Sequence, residues 1–116
     1  MGFSMKKSIS LAIMLGVSLV TAQSAMADHP CEADMEVAKI IKQMREYGFS
    51  KQKAKAVVAS ERKMNPSIRQ ISGETIQNYI DGAYSQPIHS SEQEKMDNIN
   101  AFGAMVLLLC VERYSK

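Results

Sequence analysis

The C-terminal segment, Ser90 to Lys116, reads SSEQEKMDNINAFGAMVLLLCVERYSK and decides the fold class. It opens with two overlapping capping-box patterns, Ser90 with Gln93 and Ser91 with Glu94, in which a serine and a side chain three residues on satisfy each other's backbone N–H groups. Apolar residues then recur at helical spacing and predict the inward face of one long helix. These inward positions are Met96, Ile99, Phe102, Val106, Leu109 and Cys110.

The remaining sides of this last helix are apolar too, through Met105, Leu107 and Leu108. A small monomer has difficulty covering a helix that is apolar all round. We therefore expect a buried central helix, a homodimer through the last helix, or a partner groove that uses Leu107, Leu108 or Val111. The apolar run is too short to cross a membrane, which takes about 20 apolar residues.

At the other end of the chain, residues from Cys31 to Tyr47 predict the first helix. Pro30 stands where its missing N–H costs nothing, and acidic residues precede basic ones, which matches the helix dipole. Gly48 is predicted to adopt the left-handed cap conformation, with Phe49 folding back on the last turn.

Between these two segments the sequence predicts two or three more helices. Ser50 is a plausible N-cap for residues 51–64, and Pro66 opens the next apolar-periodic run. Gly73 interrupts that run and Ser72 could cap it again, so the sequence allows either one helix or a break into two short pieces. Because no strand alternation or hairpin signal occurs, the fold class is all-α, a small bundle of about four helices.

The N-terminal segment has the pattern of a signal peptide. Lys6 and Lys7 precede an apolar stretch at 9–20, and Ala25 and Ala27 fit the small-residue cleavage rule. This predicts a signal peptide at 1–27, a single helical domain at 28–116 and a periplasmic or secreted protein without a membrane span after cleavage. An uncleaved anchor is the alternative, disfavoured because about a dozen apolar residues fall short of a span. The pattern leaves open whether Met1 or Met5 is the start.

Cys31 and Cys110 are the two cysteines of the chain. An oxidising compartment favours a disulfide between them, joining the first and last helices; an intermolecular bond or two free thiols are the alternatives. In a bundle with short connections the last helix runs antiparallel to the first, which brings these cysteines close.

The charge balance argues against nucleic-acid binding. The formal net charge of +2 includes Lys6 and Lys7, so residues 28–116 are neutral overall. A basic footprint is what binding to phosphates requires. No nucleic-acid partner is expected.

Catalytic and metal-binding patterns are sparse. The two histidines are His29 and His89, and no zinc, calcium or nucleophile motif surrounds them. Ser90 and Ser91 beside His89 are better explained as helix caps. We therefore expect no enzyme activity, no cofactor and no metal.

The segment 50–63, SKQKAKAVVASERK, concentrates basic residues on the second helix. A solvated face, paired with acidic residues across the bundle, is one interpretation, and a docking face for an acidic partner or an anionic envelope surface is the other. Tyrosines are enriched at interfaces, although Tyr79 and Tyr84 also fit core spacing. The candidate partner contacts are Lys51, Lys55, Arg62, Tyr79, Tyr84, Leu107 and Leu108.

The order of these features resembles that of small exported two-cysteine proteins of Gram-negative bacteria and their prophages. The matching parts are Cys31, REYGFS (residues 45–50), AYSQP (residues 83–87) and Cys110. The resemblance implies an exported all-helical fold and no particular activity. This chain departs from the pattern at VLLLC, because more aromatic and polar residues are expected just before the last cysteine. In size and helicity the chain is also similar to periplasmic immunity proteins.

These observations predict a protein that acts by binding another envelope protein, as an inhibitor or immunity protein does. The alternative is an envelope or acid-stress chaperone, because carboxylates that protonate together loosen a fold in acid.

Overall fold

A computed structural model describes residues 30–115, and this part of the chain forms five α-helices and no strand. They are α1 (Cys31–Glu46), α2 (Lys51–Met64), α3 (Pro66–Arg69), α4 (Gly73–Tyr84) and α5 (Glu92–Ser115). The all-α prediction is confirmed, and the break at Gly73 separates the single-turn α3 from α4. The predicted signal peptide at 1–27 and His29 lie outside the described residues.

The end of α1 is a Schellman motif. Gly48 adopts φ +85°, where a residue with a side chain is strained. Its N–H donates to the carbonyl of Arg45 at 3.1 Å, and the N–H of Phe49 donates to the carbonyl of Met44 at 2.9 Å. These bonds satisfy carbonyls that the helix leaves unpaired and turn the chain towards α2.

The predicted N-caps are also present. Ser50 accepts a hydrogen bond from an N–H of α2, and Ser72 does the same for α4. At α5 the second of the two capping boxes forms: the N–H of Glu94 donates to Ser91 Oγ at 3.0 Å, and the N–H of Ser91 donates back to Glu94 Oε1 at 3.3 Å.

Helix α1 is the centre of the bundle, because α2, α4 and α5 all pack against it. Its buried residues Val37, Ala38 and Ile41 face Phe102 and Val106 of α5 and the apolar faces of α2 and α4 in one core cluster. The crossing of α1 and α5 is close: a Cβ at Gly103 would lie 2.5 Å from Lys39 Cγ. Gly103 therefore permits the contact that fixes α5 on α1.

The predicted inward face of α5 is correct at Ile99, Phe102, Val106 and Cys110, which are buried, and wrong at Met96 and Leu109, which are exposed. The physical reason is the layout of the bundle. Helices α4 and α5 make little contact with each other, so only the stripe of α5 that faces α1 is covered.

The disulfide between Cys31 and Cys110 is present, with Cα atoms 5.7 Å apart, so the prediction of an intramolecular bond is confirmed. It joins the first residue of α1 to the last part of α5. Among the described helices, none has the length and apolar character needed to cross a membrane.

Candidate interaction surfaces

A groove runs between α4 and α5, which we call the α4–α5 groove. Two adjoining cavities of about 260 and 130 Å³ form it and share Phe102 and Met105. Thr75 lies with Arg113 at one end, and Gln86 lies with Asn98 at the other, so α4 and α5 run antiparallel along it. The groove exists because both helices pack mainly on α1 and make little contact with each other.

The outer side of α5 borders this groove and is apolar. Met105, Leu108 and Leu109 are 45, 67 and 51% exposed, whereas Leu107 is half-buried. Ala101 and Ala104 are exposed on the same helix. We call these five residues the α5 apolar face: Ala101, Ala104, Met105, Leu108 and Leu109.

A second apolar surface lies between α1 and α2, on another side of the bundle. It is a cavity of about 360 Å³, which we call the aromatic pocket. Tyr47 and Phe49 form its rim and are 46 and 41% exposed. The pocket is lined by Ile40, Gln43, Met44, Tyr47, Phe49 and Val57.

The two rim aromatics are held in place by polar contacts. The hydroxyl of Tyr47 donates to Glu92 Oε1 at 2.6 Å, and the ammonium of Lys95 lies 5.4 Å from the centre of the Tyr47 ring. The hydrogen bond to Glu92, followed by burial, raises the pKa of Tyr47 to about 12. The backbone of Phe49 is fixed by the Schellman motif and by Tyr84, whose hydroxyl donates to the Phe49 carbonyl at 2.8 Å.

The basic residues of α2 are partly used inside the fold. Lys51 Nζ lies 2.8 Å from Asp81 Oδ1 of α4, and Arg62 Nη2 donates to the carbonyl of Ile71 at 2.8 Å. Lys55 is exposed near Asp81, whose pKa is lowered by its hydrogen bonds from Lys51 and Gln77. Lys51 and Arg62 thus attach α2 to the α3–α4 region.

The two tyrosines proposed as partner contacts have structural roles. Tyr79 is buried and its hydroxyl donates to the carboxylate of Asp34, itself buried and 3.9 Å from Arg113 Nη2. Burial, followed by the hydrogen bond to Asp34, raises the pKa of Tyr79 to about 12. Tyr79 thus takes the core position that its spacing also allowed, and Tyr84 links α4 to the α1–α2 turn.

Asp34 and Arg113 border a cavity of about 290 Å³ at the disulfide end, which is also lined by polar residues such as Ser67 and Thr75 and by apolar ones such as Ile71. The Asp34 carboxylate accepts a hydrogen bond from Tyr79 and lies 3.9 Å from Arg113 Nη2, so it already has partners within the fold.

A buried polar group, the Glu46 cluster, lies at the end opposite the disulfide. Glu46 and Lys42 are 1 and 0% exposed, and Lys42 Nζ lies 3.2 Å from Glu46 Oε2. His89 donates its backbone N–H to Glu46 Oε1 at 2.8 Å, and its ring Nδ1 lies 2.7 Å from Oε2. Lys95 Nζ donates to the backbone carbonyls of Glu46 and His89 at 2.8 and 2.6 Å.

The carboxylate of Glu46 is strongly stabilised in its charged form. Burial by itself would raise its pKa, but the hydrogen bonds from His89 and the adjacent Lys42 ammonium outweigh burial and lower the pKa to about 2. The sequence does contain a signal for the Lys42–Glu46 pair. Lys42 is a charged residue on the otherwise apolar stripe of α1, and the carboxylate of Glu46 follows one turn later.

Within residues 30–115, no group of three or more His, Cys, Asp or Glu side chains is placed to hold a metal ion. Comparison with known protein families, curated proteins and solved structures finds no match, so the resemblance to exported two-cysteine proteins stays a prediction.

Proposed function

We propose that this protein acts by binding another protein of the cell envelope, in the manner of an inhibitor or immunity protein, and that the aromatic pocket is its contact site. The observation that carries this proposal is the pocket itself, apolar at its floor and lined with half-exposed aromatic rings. Aromatic anchors in concave apolar sites dominate the energy of protein interfaces.

The fixed geometry of the rim supports a binding role. Tyr47 is held by Glu92 and Lys95, and Phe49 by Met44 and Tyr84. A surface on which one ring and the backbone of the other are already fixed loses less conformational entropy on association, which increases affinity. Neither ring is fully covered by its own chain, so a partner can bury the apolar area that remains exposed.

The envelope location in this proposal rests on the signal-like segment and on the disulfide. A structural disulfide is typical of proteins in oxidising compartments. An envelope partner that inserts an apolar side chain between α1 and α2 fits the pocket.

Site-specific photocrosslinking tests this proposal. A photoreactive residue at Gln43, on the pocket wall, should crosslink to one discrete protein in envelope extract, while the same residue at the exposed Gln52 of α2 should not. Val57→Arg fills the pocket and should abolish the product, whereas Ala56→Arg, its exposed neighbour, should leave it intact. Equal crosslinking at both positions, or a product that survives Val57→Arg, rules out the pocket as the contact site.

The Glu46 cluster favours a second candidate, an acid-stress chaperone. The stabilisation that its charge gives the fold is lost as the pH falls from about 4.5 towards 2, which weakens the attachment of α5 to the end of α1. We propose that such loosening exposes apolar surface to unfolding proteins. The oxidised protein should then suppress aggregation of unrelated proteins at about pH 3 and not at neutral pH, and absence of suppression at about pH 3 eliminates this candidate.

A further inference from the structure

We propose that the α5 apolar face and the α4–α5 groove are covered by a second copy of this chain, with the two α5 helices antiparallel about a two-fold axis at Met105. This surface is distinct from the aromatic pocket. The inference therefore goes beyond the proposed function and is tested independently of it.

The dimensions of the groove suit a single helix. From Asn98 to Arg113 it follows about 22 Å of α5, at 1.5 Å per residue, which is about four turns of helix. Helices that lie in such grooves place apolar side chains at every third or fourth residue. Helix α5 carries this spacing on its own open side, at Ala101, Met105 and Leu108.

Self-complementarity of α5 identifies the occupant as a second copy. In the antiparallel register that places Met105 against itself, residues equally distant from Met105 face each other. Ala101 then meets Leu109, a small residue against a large one. Asp97 meets Arg113, and Asn98 meets Glu112, so a carboxylate faces a donor on both flanks of the apolar centre.

The same arrangement also covers Leu108, the most exposed large apolar residue of α5 at 67%. Leu108 does not line the groove of its own chain. In the dimer, Leu108 lies level with Phe102 of the second copy and enters that copy's groove, which Phe102 and Met105 line. Because the interface is the same patch on both copies, it closes after two and builds no filament.

The overall charge does not oppose association. Residues 28–116 carry 12 basic and 12 acidic side chains, so two copies have no net repulsion. A surface of this kind, neutral overall with a continuous apolar patch, promotes self-association.

Sedimentation equilibrium of the purified, oxidised protein over a concentration series tests the proposal, and a dimer is expected. Met105→Glu places two carboxylates side by side on the axis and should give a monomer with unchanged far-UV circular dichroism. Met64→Glu is the matched control, because Met64 is exposed on α2 and should leave the dimer intact.

The register has its own test at Asn98. Asn98→Glu brings two pairs of like charges together with Glu112 and should raise the dissociation constant roughly tenfold, since each exposed pair contributes a modest amount. Adding Glu112→Lys should restore the affinity. Asn100→Glu, the same change on another side of α5, should have no effect.

A protein that stays monomeric at all concentrations overturns the proposal, as does a dimer that persists in Met105→Glu or that ignores Asn98→Glu. A monomer whose α5 face instead crosslinks to a different protein also overturns it. Val57→Arg should leave the dimer unchanged, so a failure of the aromatic pocket and a failure of the dimer are distinguishable.

Discussion

Substitution of Glu46 by glutamine tests how the end of the bundle opposite the disulfide is held together. Glutamine keeps the size of the side chain and an oxygen that accepts from the His89 N–H, but it removes the negative charge. Lys42 is then left fully buried with no opposite charge beside it, since in the described residues its ammonium has an ion pair with Glu46 and no well-aligned hydrogen bond.

The expected decrease in the free energy of unfolding of Glu46→Gln follows from the pKa of Glu46. A pKa lowered from 4.5 to about 2 corresponds to about 3 kcal/mol of extra stabilisation of the folded state, at ~1.4 kcal/mol per tenfold change in proton affinity. Breaking a buried ion pair by removing one partner costs ~3–5 kcal/mol, which agrees. We expect Glu46→Gln to lower the free energy of unfolding by about 3 kcal/mol and the Tm by roughly 12–24 °C.

The loss of stability in Glu46→Gln should depend on pH, and the lowered pKa of Glu46 determines the direction. Because the pKa of Glu46 is lower in the folded chain than in the unfolded one, its charge stabilises the fold fully above about pH 4.5. That contribution disappears as the pH falls through 4.5 towards 2. The difference between wild type and Glu46→Gln should therefore be largest at neutral pH and close to zero at about pH 2.

Urea unfolding followed by circular dichroism measures this difference, with the disulfide kept oxidised. Glu94→Gln is the matched control, because Glu94 is exposed and glutamine still completes the capping box. Lys42→Met combined with Glu46→Gln should recover much of the loss, since no buried charge is then uncompensated. An effect of Glu46→Gln below about 0.5 kcal/mol at neutral pH, or one that is the same at about pH 2, refutes the reasoning.

Three further outcomes follow from the fold. Reduction of Cys31–Cys110, which are 79 residues apart, should lower the free energy of unfolding by about 4 kcal/mol in the chain-entropy model, measured by urea unfolding with and without reductant. Gly48→Ala should cost roughly 1 kcal/mol through backbone strain alone, since nothing lies within 4 Å of the added Cβ, and Gly48→Asn should cost less in the same assay. Tyr79→Phe removes a donor from the buried Asp34 carboxylate and should cost roughly 1–3 kcal/mol, and an unchanged Tm would contradict the proposed importance of that hydrogen bond.

Local signals in the sequence predicted the helix ends well. The cap at Gly48, the serine caps and the break before α4 depend on a few adjacent residues and on backbone geometry, so the structure reproduces them. The disulfide followed from two cysteines at opposite ends of antiparallel helices.

The open side of α5 was not predictable in the same way. Apolar residues surround this helix, so its periodicity does not indicate which stripe faces the core, and Leu109 was placed inside when it lines a groove. The aromatic pocket depends on how α1 meets α2 in space. Lys42 and Glu46 have the spacing of an ordinary exposed ion pair, and they are buried because the segment carrying His89 crosses over them.

The two ends of the α1–α5 pair are held together by different interactions. The two proposed surfaces should therefore respond differently to acid. The disulfide at one end does not respond to pH, whereas the Glu46 cluster at the other end weakens between about pH 4.5 and 2. Tyr47 connects that cluster to the aromatic pocket, because Lys95 contacts both its ring and the Glu46 carbonyl. Met105, by contrast, lies in the part of α5 that Gly103 and the disulfide hold against α1. Acid should therefore disturb the surface proposed for an envelope partner before it disturbs the one proposed for a second copy.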